Sequence, residues 1–143
     1  MPENTFKYPC YFTPNKVHLC NKTLHFMKIF REGATGALLD EYEKAVGEYM
    51  ELLQQIPDAR FTAIADAQTD DIDCRSIQTV SQHVVASGYG YANHLRRHFK
   101  HLEPDQVQFP SFQDAEMACT GLSNMLKYTE KTLQGIWNLS FED

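Results

Sequence analysis

Cysteine pairs at zinc-finger spacing, glycine-rich phosphate loops, long apolar runs and a surplus of positive charge are all missing from this chain. Each absence closes a class of function. No apolar run approaches the ~20 residues that a membrane-spanning helix needs, and the start is not the charged-then-apolar pattern of a signal peptide. A cytoplasmic protein without membrane contact is therefore expected. The formal net charge of −6 argues against a nucleic-acid partner, because phosphate-backbone binding needs clustered Lys and Arg.

Cys10, Cys20, Cys74 and Cys119 lie far apart, and two of them fall in helical segments, which reads as free thiols rather than a disulfide framework. Cys10, His18, Cys20 and His25 offer zinc-ligand chemistry without its usual spacing. Asp66, Asp70, Asp71 and Asp73 likewise lack the glycine and terminal glutamate of an EF-hand loop. There is no GxSxG turn, no internal repeat, and no alternation that would build a sheet.

Helical periodicity is what the chain does have. Its 143 residues suffice for one domain with a real core, so 1–143 reads as a single unit with Met1–Phe12, carrying Pro2 and Pro9, as an extended arm. Thr13-Pro14 is a helix start, followed by Val17, Cys20, Leu24 and Met27 at heptad-like spacing with Phe26 and Phe30 beside them; a helix is expected over Pro14–Phe30. Gly33 and Gly36 weaken the next few residues.

A second apolar face, Leu38, Tyr42, Ala45, Val46, Tyr49, Leu52, Leu53 and Ile56, predicts a helix over Thr35–Gln55, closed by Pro57. Pro57–Asp73 reads as a loop, with Asp73 as N-cap of the next helix. After a central helix over Ser76–His101, Glu103–Pro110 connects to a last helix over Phe112–Trp137, with Ser111 to Asp114 as a capping-box variant. Three clear helices and a fourth toward the N-terminus predict an all-α, up-down helical bundle.

The central helix carries most of the candidate chemistry. Ile77, Val80, Val84, Ser87, Tyr91, Leu95 and Leu102 form its expected buried stripe, and His83 sits beside that stripe. Imidazole suits zinc, nickel or ferrous iron, and equally suits a partly buried role satisfied by one hydrogen bond. His94 points in nearly the same direction, yet a rise of ~1.5 Å per residue puts it roughly 16 Å away, too far to share an ion.

His94, His98 and His101 are neighbours on one helix end, but Arg96, Arg97 and Lys100 among them oppose a cation. That basic cluster reads as a solvated helix end suited to the C-terminal dipole. Gly88 and Gly90 each cost ~1 kcal/mol in a helix, which close packing of another helix, or space beside His83 for a ligand, would offset.

The run SIQTVSQHVVASGYGYANHL, preceded by LLQQIPDARFT and a polar loop, resembles the DinB/YfiT-like superfamily over roughly Phe30–Lys100, and more loosely over Ser111–Trp137. The resemblance implies a four-helix bundle holding a divalent metal, zinc or nickel, through a histidine on the second core helix and an HxxxH pair on a later one. His83 matches the first of these ligands.

No histidine follows His101, so the pair is unmatched, and the family pattern would continue into its HxxxH helix past Asp143. What the resemblance implies for activity is metal-dependent hydrolysis or thiol transfer on an unspecified small-molecule substrate, with the metal site incomplete in this chain. The Pro14–Phe30 helix can substitute as a fourth packing element. The alternative is a non-catalytic bundle that forms a homodimer through the apolar face left uncovered.

Overall fold

The computed structural model describes residues 30–99, 102–106, 111–134 and 136. The expected arm Met1–Phe12 lies outside the described residues, as does the expected helix Pro14–Phe30 apart from Phe30, which is not helical. Four α-helices follow in order, α1 Gly33–Leu53, α2 Asp58–Phe61, α3 Ile77–Phe99 and α4 Ala115–Leu133, with a 3₁₀ turn at Ile72–Cys74 before α3. Among the described residues there is no strand, and the chain is an all-α helical bundle. No helix among them is long and apolar enough to cross a membrane.

Helix α4 is the axis of the packing. Ala118, Leu122 and Met125 are fully buried at the three- and four-residue spacing of one helix face, and both α1 and α3 lie against it. Leu39, Val46 and Leu53 supply the α1 contact, all at 5% exposure or less and spaced seven apart along the helix. Tyr42, Tyr49 and Ile56 of the face expected for α1 also pack against the core, but part of that face turns elsewhere. Leu38 and Leu52 are 68% and 54% exposed, and at ~100° per residue they share a stripe with Ala45 beside the α4 contact.

Helix α3 differs from expectation in the same sense. Its buried residues are Ser81, Val85, Gly88, Ala92 and Arg96, roughly one residue's rotation from the predicted stripe, while Val80 is 36% and Tyr91 75% exposed. The reason is steric. A Cβ at Gly88 would collide with the Met125 side chain and come within 2.7 Å of the Tyr42 hydroxyl. Small residues let α3 approach α4 closely, and that contact outweighs the greater hydrophobicity of the neighbouring valines. Gly88 is thus accounted for by helix packing; at Gly90 a Cβ would meet nothing within 4 Å.

Helices α1 and α3 run in opposite directions: Tyr49 bonds Ser81 at 2.8 Å, while Tyr42, earlier on α1, has its hydroxyl against Gly88, later on α3. Helix α4 runs parallel to α3. Gln78 donates to the Phe112 carbonyl at 2.5 Å just before α4 begins, and Arg96 near the end of α3 donates to Thr132 near the end of α4 at 2.7 Å. The connector must therefore travel back along the bundle. Its path is held where Asn93 donates to the Asp105 carbonyl at 2.9 Å and the Asp105 N–H donates to the Tyr128 hydroxyl at 2.9 Å.

Two helix starts are corrected by the hydrogen bonds. Ser76, not Asp73, caps α3: its hydroxyl accepts from the Thr79 N–H at 3.1 Å, and the Thr79 hydroxyl accepts from the Ser76 N–H at 3.0 Å. Asp114, rather than Ser111, caps α4 by accepting from the Met117 N–H at 2.7 Å. Each cap stands about three residues later than sequence pattern suggested, because a hydroxyl or carboxylate serves only where the backbone leaves its N–H groups open.

The expected loop before α3 also contains Phe61, which is completely buried and belongs to the core. Arg96 is corrected as well. It is not part of a solvated helix end but 5% exposed, with its guanidinium 3.7 Å above the Tyr128 ring and donating to Thr132 and to the Glu103 carbonyl. Arg97 is exposed as expected.

The two glycines of α3 make opposite predictions. Gly88→Val should destabilise the protein by about 1–3 kcal/mol through overpacking, whereas Gly90→Ala should be neutral or stabilise by up to about 1 kcal/mol through helix propensity. Urea melts of the two variants check this; equal effects would contradict the packing described.

Candidate functional site

His83 lies one ~60° step from Val80 on the outward side of α3, at 100° per residue. The 3₁₀ turn brings Asp73 to it. Asp71 caps that turn by accepting from the Asp73 N–H at 3.0 Å, and the Ala65 N–H holds the following segment by donating to the Arg75 carbonyl at 2.8 Å. The result is a carboxylate 2.9 Å from His83 Nδ1. One turn further along α3, the Ser87 hydroxyl lies 3.3 Å from His83 Nε2.

A carboxylate on Nδ1 favours the tautomer that keeps the proton there and leaves the Nε2 lone pair facing outward. The order Asp73, His83, Ser87 also matches a nucleophilic triad in its atoms. It lacks what such a triad needs around it. Ser87 sits within α3, whose backbone N–H groups are engaged in the helix, so no paired donors converge on an oxyanion position. The imidazole side chain is 57% exposed and open to water.

Among the described residues the other sequence candidates are not brought together. Among the described residues, no group of three or more His, Cys, Asp or Glu is placed to hold a metal ion. His94 and His98 are exposed, and His98 meets the Phe99 ring edge-on; His101 lies outside the described residues. Cys10, His18, Cys20 and His25 also lie outside them. The loop acids are occupied with turns: Asp66 accepts from the Gln68 and Thr69 N–H groups at 2.9 and 3.1 Å.

Beside the His83 strip lies a second feature, a trough of about 250 Å³ between α1 and α3. Tyr42, Ala45, Val46 and Tyr49 form one wall, Val80 and Val84 the other, and Leu122 of α4 the floor. The tyrosine hydroxyls turn away into the core, Tyr42 donating to Met125 Sδ at 2.9 Å and Tyr49 bonding Ser81 at 2.8 Å. Burial holds both phenols above their ordinary pKa, so the rings present uncharged apolar surface. His83 is not among the residues that line it; it lies ~60° round α3 from Val80 and ~100° from Val84.

An ion network closes the bundle at the start of α1. Arg31 reaches Asp40 and Glu43 of α1 and Glu130 of α4 at 2.5, 2.6 and 3.1 Å. The hydrogen bond to Glu43 leads in raising the Arg31 pKa above its ordinary value. Sequence reasoning missed this hub, since its partners lie 9, 12 and 99 residues away.

Of the two described cysteines, Cys119 is buried and Cys74 exposed. The Cys74 thiol donates to Asp71 at 3.5 Å, and that hydrogen bond, with the Asp71 charge behind it, raises the thiol pKa. Raising the pKa lowers the thiolate fraction at neutral pH, so exposure does not make this thiol reactive. Asp71→Asn keeps a carbonyl for the turn and removes the charge. Thiol labelling of Cys74 near pH 7.5 should then become several-fold faster, a difference that vanishes at pH values high enough to ionise both forms.

No family model matches the chain, and neither the curated proteins nor the solved structures contain a significant match to it.

Proposed function

We propose that this chain is a divalent-metal-binding helical bundle of the DinB/YfiT-like kind in which His83 provides one ligand, through Nε2. The observation that carries the reading is the Asp73–His83 pair at 2.9 Å. Metal-bound histidines donate their other ring N–H to such a carboxylate, which sets the tautomer and makes the imidazole a better donor. Ser87 at 3.3 Å occupies the direction a metal would take and can rotate away.

A zinc or nickel centre takes three or more protein donors, and the described residues offer one with its orienting carboxylate. They do not complete a centre by themselves. The remaining ligands must come from residues outside the described set or from a second molecule. A metal held there would supply Lewis acidity toward bound water or thiol. His83 would anchor it, and Asp73 would hold the imidazole in place.

Metal content of the purified full chain after zinc or nickel loading tests the reading. Wild type should retain stoichiometric metal, His83→Ala should lose it, and Asp73→Asn should bind about 10–100-fold more weakly. A wild-type protein that retains neither metal would end the proposal. Retention unchanged in His83→Ala would move the site elsewhere.

A further inference from the structure

We infer that His83 is a phosphoryl acceptor: its Nε2 attacks an activated phosphoryl donor, an acyl phosphate or a phosphoramidate, and carries the group as Nε2-phosphohistidine. This is an activity of the metal-free chain, because the lone pair it uses is the one a metal would take. The surroundings of the ring support it. Asp73 sits 2.9 Å from Nδ1, which keeps the proton on that nitrogen and the lone pair on Nε2. As the Nε2–P bond forms the ring gains positive charge, and a carboxylate already bonded to the Nδ1–H stabilises that charge without moving.

Exposure, which weighs against a hydrolytic triad, suits this chemistry. Acyl transfer to water needs an oxyanion site and a dry pocket. Phosphoryl transfer spreads its charge over oxygens that the donor brings, and asks of the acceptor an in-line approach. The His83 side chain is 57% exposed. Ala86, Ser87 and Gly90 lie within ~60° of it on the following turns of α3. All three are small, and a Cβ at exposed Gly90 would meet nothing within 4 Å. A donor therefore reaches Nε2 along an open helix face. The Ser87 hydroxyl, 3.3 Å from Nε2, is placed to donate to a phosphoryl oxygen once the new bond exists.

With phosphoramidate the step balances within the two molecules. Nε2 supplies the electron pair of the new N–P bond, the donor's own P–N bond breaks, and ammonia leaves with that pair and the protons of the donor's ammonium form. With an acyl phosphate the P–O bond breaks instead, and a carboxylate leaves. The Nδ1 proton stays between the ring and Asp73. Nothing is oxidised or reduced.

His94 and His98 are the internal comparison, since both are exposed and neither is paired with a carboxylate among the described residues. The full chain is incubated with potassium phosphoramidate in the presence of a chelator, and the product is followed by peptide mapping at alkaline pH and by phosphorus NMR. His83 should react about tenfold or more faster than His94 or His98, and at Nε2. Asp73→Asn keeps an acceptor for the Nδ1–H and removes the charge. It should slow His83 about tenfold and leave His94 and His98 unchanged, with circular dichroism confirming that the variant is folded. Equal rates at the three histidines, no product or an Nδ1 product at His83, or an Asp73→Asn rate equal to wild type would each overturn the proposal. Metal retention is measured separately and can stand or fall without changing these rates.

Discussion

The contact of Gly88 with Met125 sets the rotation of α3 about its own axis, and the arrangement of the other features follows from that rotation. With no Cβ at Gly88, and with Ser81 and Ala92 on the same face, α3 settles against α4 along its least bulky side. Val80 and Val84 are thereby carried out of the α4 interface into the wall of the trough. His83 is carried further round, to the exposed side of α3, where the 3₁₀ turn delivers Asp73. Had the valines packed on α4, His83 would have turned toward the core and away from that carboxylate.

Polar groups are placed so that the close packing leaves few of them unpaired. Ser81 inside the bundle is shared between Tyr49 and the Ile77 carbonyl. Arg96, buried beside Tyr128, has its donors taken by Thr132 and the carbonyls of Glu103 and Tyr128. These bonds also explain how a connector can run back along the bundle and leave α3 and α4 parallel: Arg96, Asn93 and Tyr128 hold its first stretch against the helices. The same residues that stabilise the core therefore decide the direction in which α4 enters.

Asp73 gives His83 a chemical context that its sequence position alone does not supply. A lone imidazole on a helix is an ordinary surface group; one held through Nδ1 by a carboxylate has a defined free nitrogen.

Periodicity alone was enough for the three long helices and the class of fold, though not for α2 within the expected loop, because amphipathic periodicity is a local property that survives whatever the helices pack against. Boundaries expected at Thr35–Gln55 and Ser76–His101 correspond to Gly33–Leu53 and Ile77–Phe99. His83 was singled out from its place beside an apolar stripe, and the stripe that α3 buries is a different one. Which stripe is buried was decided only in three dimensions, since the wide apolar bands of α1 and α3 each offered two neighbouring faces, and steric fit at Gly88 selected one. Asp73 as the partner of His83, Arg96 as a core cation, Arg31 as a hub and the parallel course of α4 all rest on contacts between distant segments. Periodicity carries no information about those.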